Sequence, residues 1–298
     1  MSAENVLERD ARLPDLAPAE FERIAALLRR ETGIDLPPGK RPLVRARLAR
    51  RLKTLHLSSF NAYCARIEGP DGGAECVELI SALTTNVTSF FRESHHFEFI
   101  RTELLPTWRR TLKRGGAVRV WSAGCSSGEE PYSLAMLVLD AAPDLAGTDF
   151  RILATDIDPV VLSRAVAARY SRDDLAKIPR RLTDLFTRPC PGNDGAAQLD
   201  PRLRSLVCVR EFNLSTKGPW PGPFDLVLCR NVTIYFDEES KRRVWSRLVD
   251  SVAAGGCLIV GHSERLTGEA AARTELCATT TYRRIDAPSG PAGDMPWP

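Results

Sequence analysis

A glycine-containing turn is the densest concentration of potential chemistry in this sequence. The apolar run Val118–Ala123 ends at Gly124-Cys-Ser-Ser-Gly128, and Pro131 opens a helical pattern. Strand, tight turn and helix start form a nucleotide-type binding corner, because glycine allows close backbone approach and the first helical N–H groups face the ligand. Glu129 and Glu130 suit the helix dipole but would repel a pyrophosphate. The corner therefore favours a ligand with positive charge over a dinucleotide.

The same turn also matches Gly-x-Ser-x-Gly, the nucleophile elbow of the α/β-hydrolases. Asp225 or Asp237, followed by His262, would complete the order Ser…Asp…His. Such an elbow normally follows several core strands, whereas a single convincing strand precedes Gly124 and no glycine-rich oxyanion loop lies upstream. The serine hydrolase is therefore disfavoured, and it stays open as an alternative.

Polar side chains follow two further predicted strands. Asp156 ends the strand after the glycine turn, where a carboxylate can accept both ribose hydroxyls of a nucleoside. The run Phe224–Leu228 predicts a buried strand, so Arg230 and Asn231 emerge at its carboxyl end, with Tyr235 close behind. Open α/β sheets bind ligands at that edge, and such a polar group is costly to bury without partners. The three residues together favour a site.

Three other features are less specific. The segment 84–93 sets Asn86, Thr88 and Arg92 around two phenylalanines, and alone it predicts a helix cap with core aromatics. Seven basic residues and no acidic one lie between Lys40 and Lys53, which predicts a basic amphipathic helix. A solvated face, nucleic-acid binding and docking on an acidic protein surface are all consistent with it, although no interleaved aromatics support base stacking. His95, His96 and His262 lack partners at metal-ligand spacing, so no metal site is predicted.

The elements that must position these residues divide the 298-residue chain in two. Helical patterns occupy residues 17–113, at 40–55, 58–68, 73–84 and 93–113 after a first helix that starts near Pro18. Strands at 118–123, 150–155, 224–229, 256–260 and 279–284 then alternate with helices at 131–141, 159–169 and 238–253, which indicates a parallel sheet with crossover helices. Residues 170–213 interrupt this alternation and predict a small β-subdomain, with a strand near 205–209. The tail is expected to be disordered.

Composition predicts a cytoplasmic protein. The eight cysteines are scattered without a Cys-x-x-Cys pair, which indicates free thiols in a reducing compartment. No signal peptide is recognisable, and no apolar run reaches the length of about 18 residues that a membrane helix needs. We expect no membrane insertion.

Taken together, these segments resemble the CheR family, the chemotaxis-receptor glutamate O-methyltransferases that use S-adenosylmethionine. The matching runs follow in order at 84–93, 119–133, 154–158, 212–214, 229–237 and 261–264. The resemblance implies an α/β fold in which a Rossmann-like S-adenosylmethionine-dependent methyltransferase domain, residues 91–286 with an inserted β-subdomain at 170–213, follows an N-terminal all-helical domain at 1–90. Residues 287–298 are expected to form the disordered tail.

The resemblance also implies roles for individual residues. With Gly124 of the turn, the expected cofactor-binding residues are Asn86, Thr88, Arg92, Glu129, Asp156, Asn213, Leu214, Arg230 and Asn231. Tyr235 matches a tyrosine near the methyl-transfer centre, and we expect it to orient the substrate while Arg92 or Arg230 anchors the carboxylate of the cofactor's methionine part. The basic helix is expected to dock on the acidic cytoplasmic methylation helices of a chemoreceptor through Arg41, Arg45, Arg47, Arg50, Arg51 and Lys53.

The implied reaction converts receptor glutamates to 5-O-methyl esters and leaves S-adenosylhomocysteine. Some family members also grip a pentapeptide at the receptor C-terminus. Arg188 and Gly195 match that loop here, but Pro189 and Pro191 stand where glycines are expected, and proline removes a backbone donor. The two prolines therefore disfavour peptide capture. A monomer without nucleic-acid binding is expected, and a cofactor-binding signalling module without turnover stays open as an alternative.

Overall fold

The chain folds into two compact units, residues 1–85 and 86–298. The computed structural model describes residues 14–190, 193–216 and 220–285. The predicted tail at 287–298 and Pro191 lie outside the described residues.

The smaller unit is helical, as predicted. Its helices are α1 Pro18–Thr32, α2 Arg41–Thr54, α3 Phe60–Glu68 and α4 Gly72–Leu83. Local signals set the ends of α1, because proline suits the first helical turn and Gly33 ends the helix in the left-handed conformation at φ 76°. The apolar stripes of the four helices meet in one core, formed by residues such as Phe21, Ile24, Leu28, Val44, Leu48, Phe60, Tyr63 and Leu79.

The larger unit alternates strands and helices. Its strands are β1 Val118–Ala123, β2 Phe150–Asp156, β3 Arg169–Ser171, β4 Thr187–Cys190, β5 Asn193–Leu199, β6 Val207–Glu211, β7 Phe224–Cys229, β8 Val252–Val260, β9 Thr274–Ala278 and β10 Thr281–Arg284. Its helices are α5 Ser94–Phe99, α6 Leu105–Lys113, α7 Glu129–Ala141, α8 Pro159–Ala167, α9 Arg172–Leu175, α10 Arg180–Phe186, α11 Pro201–Arg204, α12 Glu238–Ser251 and α13 Gly268–Ala272. A π turn at Ile100–Leu104 joins α5 to α6, so the predicted helix at 93–113 is one interrupted helical stretch.

One sheet of seven strands organises this unit, in the order β6-β2-β1-β7-β8-β10-β9. Strands β6, β2, β1, β7 and β8 run parallel, and β10 and β9 run antiparallel at the far edge. Because parallel strands end at the same side, the residues after Ala123, Asp156 and Cys229 meet at one edge of the sheet. This edge carries the polar side chains that the sequence singles out.

One prediction about the outer strands needs correction, and one outer strand was not predicted. The strand predicted near 205–209 pairs in parallel with β2 and extends the main sheet, because its register places Val207 beside Ile152 and Val209 beside Ala154. The separate three-stranded sheet is therefore smaller than the predicted insertion and has the order β3-β5-β4. The predicted last strand is confirmed, but it pairs with β9, which the sequence did not reveal. Within the described residues, every helix is too short or too polar to span a lipid bilayer.

Candidate functional site

The turn after β1 approaches its neighbours too closely for a side chain. The N–H groups of Gly124 and Cys125 both donate to the carbonyl of Thr155 at 2.8 Å. Gly124 has φ +84°, and a Cβ there would lie 2.4 Å from a methyl group of Val232. Gly128 has φ +97°, and a Cβ there would meet neighbouring atoms at 2.9–3.0 Å. Both glycines are required by the backbone path, which explains the spacing noticed in the sequence.

Asp156 organises the edge next to this turn. Its carboxylate accepts the N–H of Ser126 at 2.8 Å and that of Asp158 at 3.1 Å. Asp158 caps α8 and accepts the side-chain amide of Asn86 at 2.7 Å. Burial raises the pKa of the Asp156 carboxyl, while the surrounding N–H donors oppose that rise. The structure thus brings Asn86 and Asp156, which are 70 positions apart in the numbering, to one place.

The polar groups of the alternative hydrolase triad are engaged elsewhere. The hydroxyl of Ser126 donates to the carbonyl of Asn86 at 3.0 Å. Asp225 lies at the start of β7, away from the strand end, and its carboxylate accepts a backbone N–H of β1 at 2.7 Å. Asp237 caps its own helix, α12, and His262 is exposed. The hydrolase alternative is therefore not favoured.

Arg230 is buried among carboxylates, and only 3% of its side chain is exposed. One guanidinium nitrogen lies 2.9 Å from Glu130 Oε2 and another 3.3 Å from Glu93 Oε2. The guanidinium also donates to the carbonyl of Arg92 and lies over the ring of Phe97. Burial raises the pKa of Glu93, but the charge of Arg230 and a backbone donor outweigh it, and the net shift is downward. We call Arg230, Glu93 and Glu130 the arginine clamp.

Arg92 differs from Arg230 in its availability. Its side chain is 37% exposed, its guanidinium donates to the carbonyl of Val87 at 2.9 Å, and its Nε lies 3.9 Å from the carboxylate of Glu93. Between the two arginines that the sequence proposed as carboxylate anchors, Arg92 therefore has the guanidinium that a ligand can reach. Thr88 lies in the same segment and is half-buried.

The turn after β7 carries Asn231 and Tyr235. Asn231 has φ +60°, and its side-chain carbonyl oxygen is buried without a hydrogen-bond partner among the described residues. Tyr235 is half-buried at the end of a 3-10 turn, Thr233–Tyr235. The carboxylate of Glu264 holds this turn through several backbone bonds. Glu264 lies in the matching run 261–264, but no role for it was predicted from the sequence.

Glu129, at the start of α7, is buried and accepts the hydroxyl of Ser127 on both carboxylate oxygens, at 2.9 and 2.8 Å. Burial raises its pKa. Asn213 and Leu214 follow β6, and the Asn213 side chain accepts the N–H of Ser215 at 2.8 Å. An aromatic cluster adjoins them, formed by Trp121, Phe212, Trp220 and Phe224, with Arg247 over the Trp220 ring.

The structure places a carboxylate beside the two histidines His95 and His96, which was not predicted from the sequence. Glu93 lies beside His95 and His96, with ligand atoms of all three within 4.8 Å of one another. The guanidinium of Arg230 already faces that carboxylate, and a metal cation would have to displace or repel it. We propose no metal for this cluster.

In the helical unit, the fold divides the six predicted docking residues. Arg51 forms bonds of 3.0 and 2.6 Å with the buried carboxylate of Glu75, and Arg47 donates to the carbonyls of residues 83 and 84. Arg45 donates to the carbonyl of Pro14. These three arginines serve the unit's own structure. The other three predicted docking residues are exposed or half-exposed: Arg41, Arg50 and Lys53.

Comparison with known proteins identifies the family. Residues 19–84 match the model of the "CheR methyltransferase, all-alpha domain", and residues 86–283 match the "CheR methyltransferase, SAM binding domain". A "Probable chemotaxis protein methyltransferase" of Rhizobium etli is 42% identical over 85% of this chain and 95% of its own length. The "Chemotaxis protein methyltransferase" of Escherichia coli is 37% identical over 85% of this chain and 86% of its own. These matches confirm the predicted fold class, cofactor and enzyme class. The chain belongs to the CheR methyltransferase family, whose members bind S-adenosylmethionine.

Proposed function

We propose that this protein transfers the methyl group of S-adenosylmethionine to glutamate side chains of chemoreceptors, producing 5-O-methyl esters and S-adenosylhomocysteine. The observation that carries the proposal is the convergence of Asp156, Asn231 and Arg92 at one sheet edge in a chain of this family. The free thiols of all eight cysteines support action in a reducing compartment.

The side chains at this edge fit the cofactor. Asp156 offers a carboxylate to the ribose hydroxyls, and Gly124 allows the backbone to approach the ligand closely. The buried, unpartnered carbonyl oxygen of Asn231 is an acceptor that a bound ligand would satisfy. Arg92 is the reachable partner for the carboxylate of the methionine part. Bound S-adenosylmethionine supplies an electrophilic methyl group on a positively charged sulfur.

The protein's main catalytic task is orientation. A free glutamate has a pKa of about 4.3, so the substrate carboxylate is already ionised near neutral pH and needs no general base. Holding a carboxylate oxygen in line for attack can contribute roughly 7–11 kcal/mol at best. We assign this task to Tyr235, which is half-buried at the strand edge.

The arginine clamp fits this mechanism. A free arginine at the reaction centre would bind the substrate carboxylate, stabilise the ground state and slow transfer. Arg230 is held by Glu93 and Glu130 instead, so it contributes structure without capturing the nucleophile.

For receptor docking we propose the exposed cations of α2. Arg50 and Lys53 lie one turn apart on its surface, and Arg41 stands at its start. Acidic receptor helices would meet these charges without disturbing Arg51, which neutralises Glu75 inside the unit. Attraction of this kind acts mainly on encounter and weakens with salt.

The β-subdomain is poorly suited to capture a receptor C-terminal peptide. Pro189 lies in the edge strand β4 and cannot donate a backbone bond to an added strand. Arg188 is already paired with Asp200 at 3.0 Å. We therefore propose that methylation does not require the receptor's last five residues, and comparing fragments with and without them tests this.

A transfer assay tests the function. Purified chain, radiolabelled S-adenosylmethionine and receptor cytoplasmic fragments should give base-labile label on glutamates. Tyr235→Phe should lower turnover while leaving the Kd for S-adenosylhomocysteine unchanged. Intact binding without transfer to any receptor fragment would instead indicate the non-catalytic module.

A second comparison tests docking. The double variant Arg50→Glu, Lys53→Glu should raise the KM for receptor and leave cofactor binding unchanged. Arg66→Glu, an exposed charge reversal on α3, is the matched control and should behave as wild type. Equal losses in both variants would refute docking through α2.

A further inference from the structure

Glu264 has the most densely hydrogen-bonded carboxylate at the sheet edge. The residue is buried, with 3% of its surface exposed. Oε1 accepts the N–H of Val232 at 3.2 Å, the N–H of Thr233 at 2.8 Å and the Thr233 hydroxyl at 2.8 Å. Oε2 accepts the N–H of Asn231 at 2.7 Å and that of Gly261 at 2.8 Å. Both oxygens are thus saturated by the protein itself.

These donors form an anion-binding concavity. Three consecutive backbone N–H groups, at residues 231–233, converge on one carboxylate, and such a nest is built when a residue enters the left-handed region. Asn231 has that conformation, with φ +60°. The anion in this nest is the protein's own side chain. Without this carboxylate, several buried backbone donors would be left without an acceptor, which destabilises the turn.

The close contact between these two backbone segments also explains why residue 261 is a glycine. A Cβ at this position would lie 2.6 Å from the Asn231 nitrogen and 2.7 Å from Glu264 Oε2. The end of β8 and the turn after β7 therefore come together only because residue 261 lacks a side chain, and Glu264 closes the gap between them. The motif Gly-His-Ser-Glu at 261–264 combines the close approach with the anion.

We infer that Glu264 is a positioning residue for methyl transfer. By fixing the backbone of residues 231–233, its carboxylate sets the direction of the Asn231 side chain and the location of the 3-10 turn that ends at Tyr235. This inference rests on the proposed function, in which Asn231 contacts the cofactor and Tyr235 orients the substrate. Misplacement by about 1 Å can lower a rate about 100-fold.

The test is Glu264→Gln, which keeps the shape but turns an NH₂ group toward backbone donors. We expect the Kd for S-adenosylhomocysteine to rise and kcat at saturating cofactor and receptor to fall, each by about tenfold or more. Asp225→Asn is the matched control. It weakens one carboxylate–backbone bond at the start of β7, the end opposite the turn that Glu264 holds, and should lower the Tm without changing the Kd or kcat.

Thr233→Val removes only the hydroxyl bond to Oε1 and should give smaller losses in the same direction, which keeps the test valid if the first variant fails to fold. The inference is overturned if the folded Glu264 or Thr233 variants lose Tm alone, as the control does. Asn231→Ala and Tyr235→Phe distinguish a failure of the positioning role from a failure of the proposed site. If these variants are impaired, a null result at Glu264 refutes only the positioning role, whereas wild-type behaviour of both refutes the assigned site.

Discussion

Replacing Arg230 with methionine should destabilise the larger unit strongly at neutral pH and much less in acid. Methionine has a similar length and an apolar end, so it removes the charge and the donors with little change of volume. Glu93 and Glu130, whose side chains are 14% and 11% exposed, would lose their common counter-charge. Breaking a buried ion pair from one side costs about 3–5 kcal/mol.

The pH dependence follows from Glu93. In the native protein its pKa is below the ordinary value, so its contribution to the free energy of unfolding is present above that value and is lost as pH falls. Without Arg230, burial dominates and raises the pKa, so the carboxyl favours folding when protonated and loses that contribution as pH rises. The loss of unfolding free energy caused by Arg230→Met should therefore shrink on acidification, by up to about 1.4 kcal/mol per pH unit.

Denaturant unfolding followed by tryptophan emission measures this selectively, because all five tryptophans lie beyond residue 85. Arg164→Met on the exposed surface of α8 is the control and should stay within about 0.5 kcal/mol of wild type. In the double variant Arg230→Met, Glu130→Gln part of the loss should be recovered. A destabilisation below about 1 kcal/mol at pH 7, or one that is equal at pH 5, would refute the arginine clamp.

Three further outcomes are expected. His96 is buried, and burial lowers its pKa to about 3. The contribution of neutral His96 to the free energy of unfolding is therefore complete above about pH 6.5 and should be lost as pH falls toward 3. His96→Gln should reduce this dependence of the unfolding free energy on pH, as measured by denaturation curves. Gly124→Ala should cost about 2–4 kcal/mol, since it adds a clash to an unfavourable φ, whereas Gly147→Ala at φ +82° with open space should cost about 1 kcal/mol; equal Tm losses would contradict the close approach. Asp156→Asn should weaken binding of S-adenosylhomocysteine in calorimetry. In wild type, affinity should fall on acidification as Asp156, whose pKa is raised by burial, becomes protonated. The Asn variant should not show this fall.

Local patterns predicted most of the fold because its elements carry their signals within a few residues. Proline and an aspartate cap mark the start of α8, and continuous apolar runs mark β1 and β7. The attachment of β6 to the main sheet depends on pairing with β2, whose partner residues lie 55 positions earlier in the numbering (Val207 pairs with Ile152), and no local pattern predicts it.

The same distinction applies to the site. Strand-end residues such as Asp156 and Asn231 could be proposed from the topology alone. The partners of Arg230 lie 137 and 100 positions away, so its burial between two carboxylates could not be predicted. In α2 the charge pattern was visible, but the capture of Arg51 by Glu75 required the fold.

The aromatic cluster is expected to report ligand binding through its fluorescence. The Trp220 indole lies edge-on to Phe212 at 5.6 Å between ring centres, and Phe212 directly precedes Asn213 and Leu214. In the proposed site, an adenosine that settles against Asn213 and Leu214 would change the polarity around this intrinsic fluorophore. We therefore expect ligand occupancy to change the protein's own emission, which can be measured without a dye or a radioactive tracer.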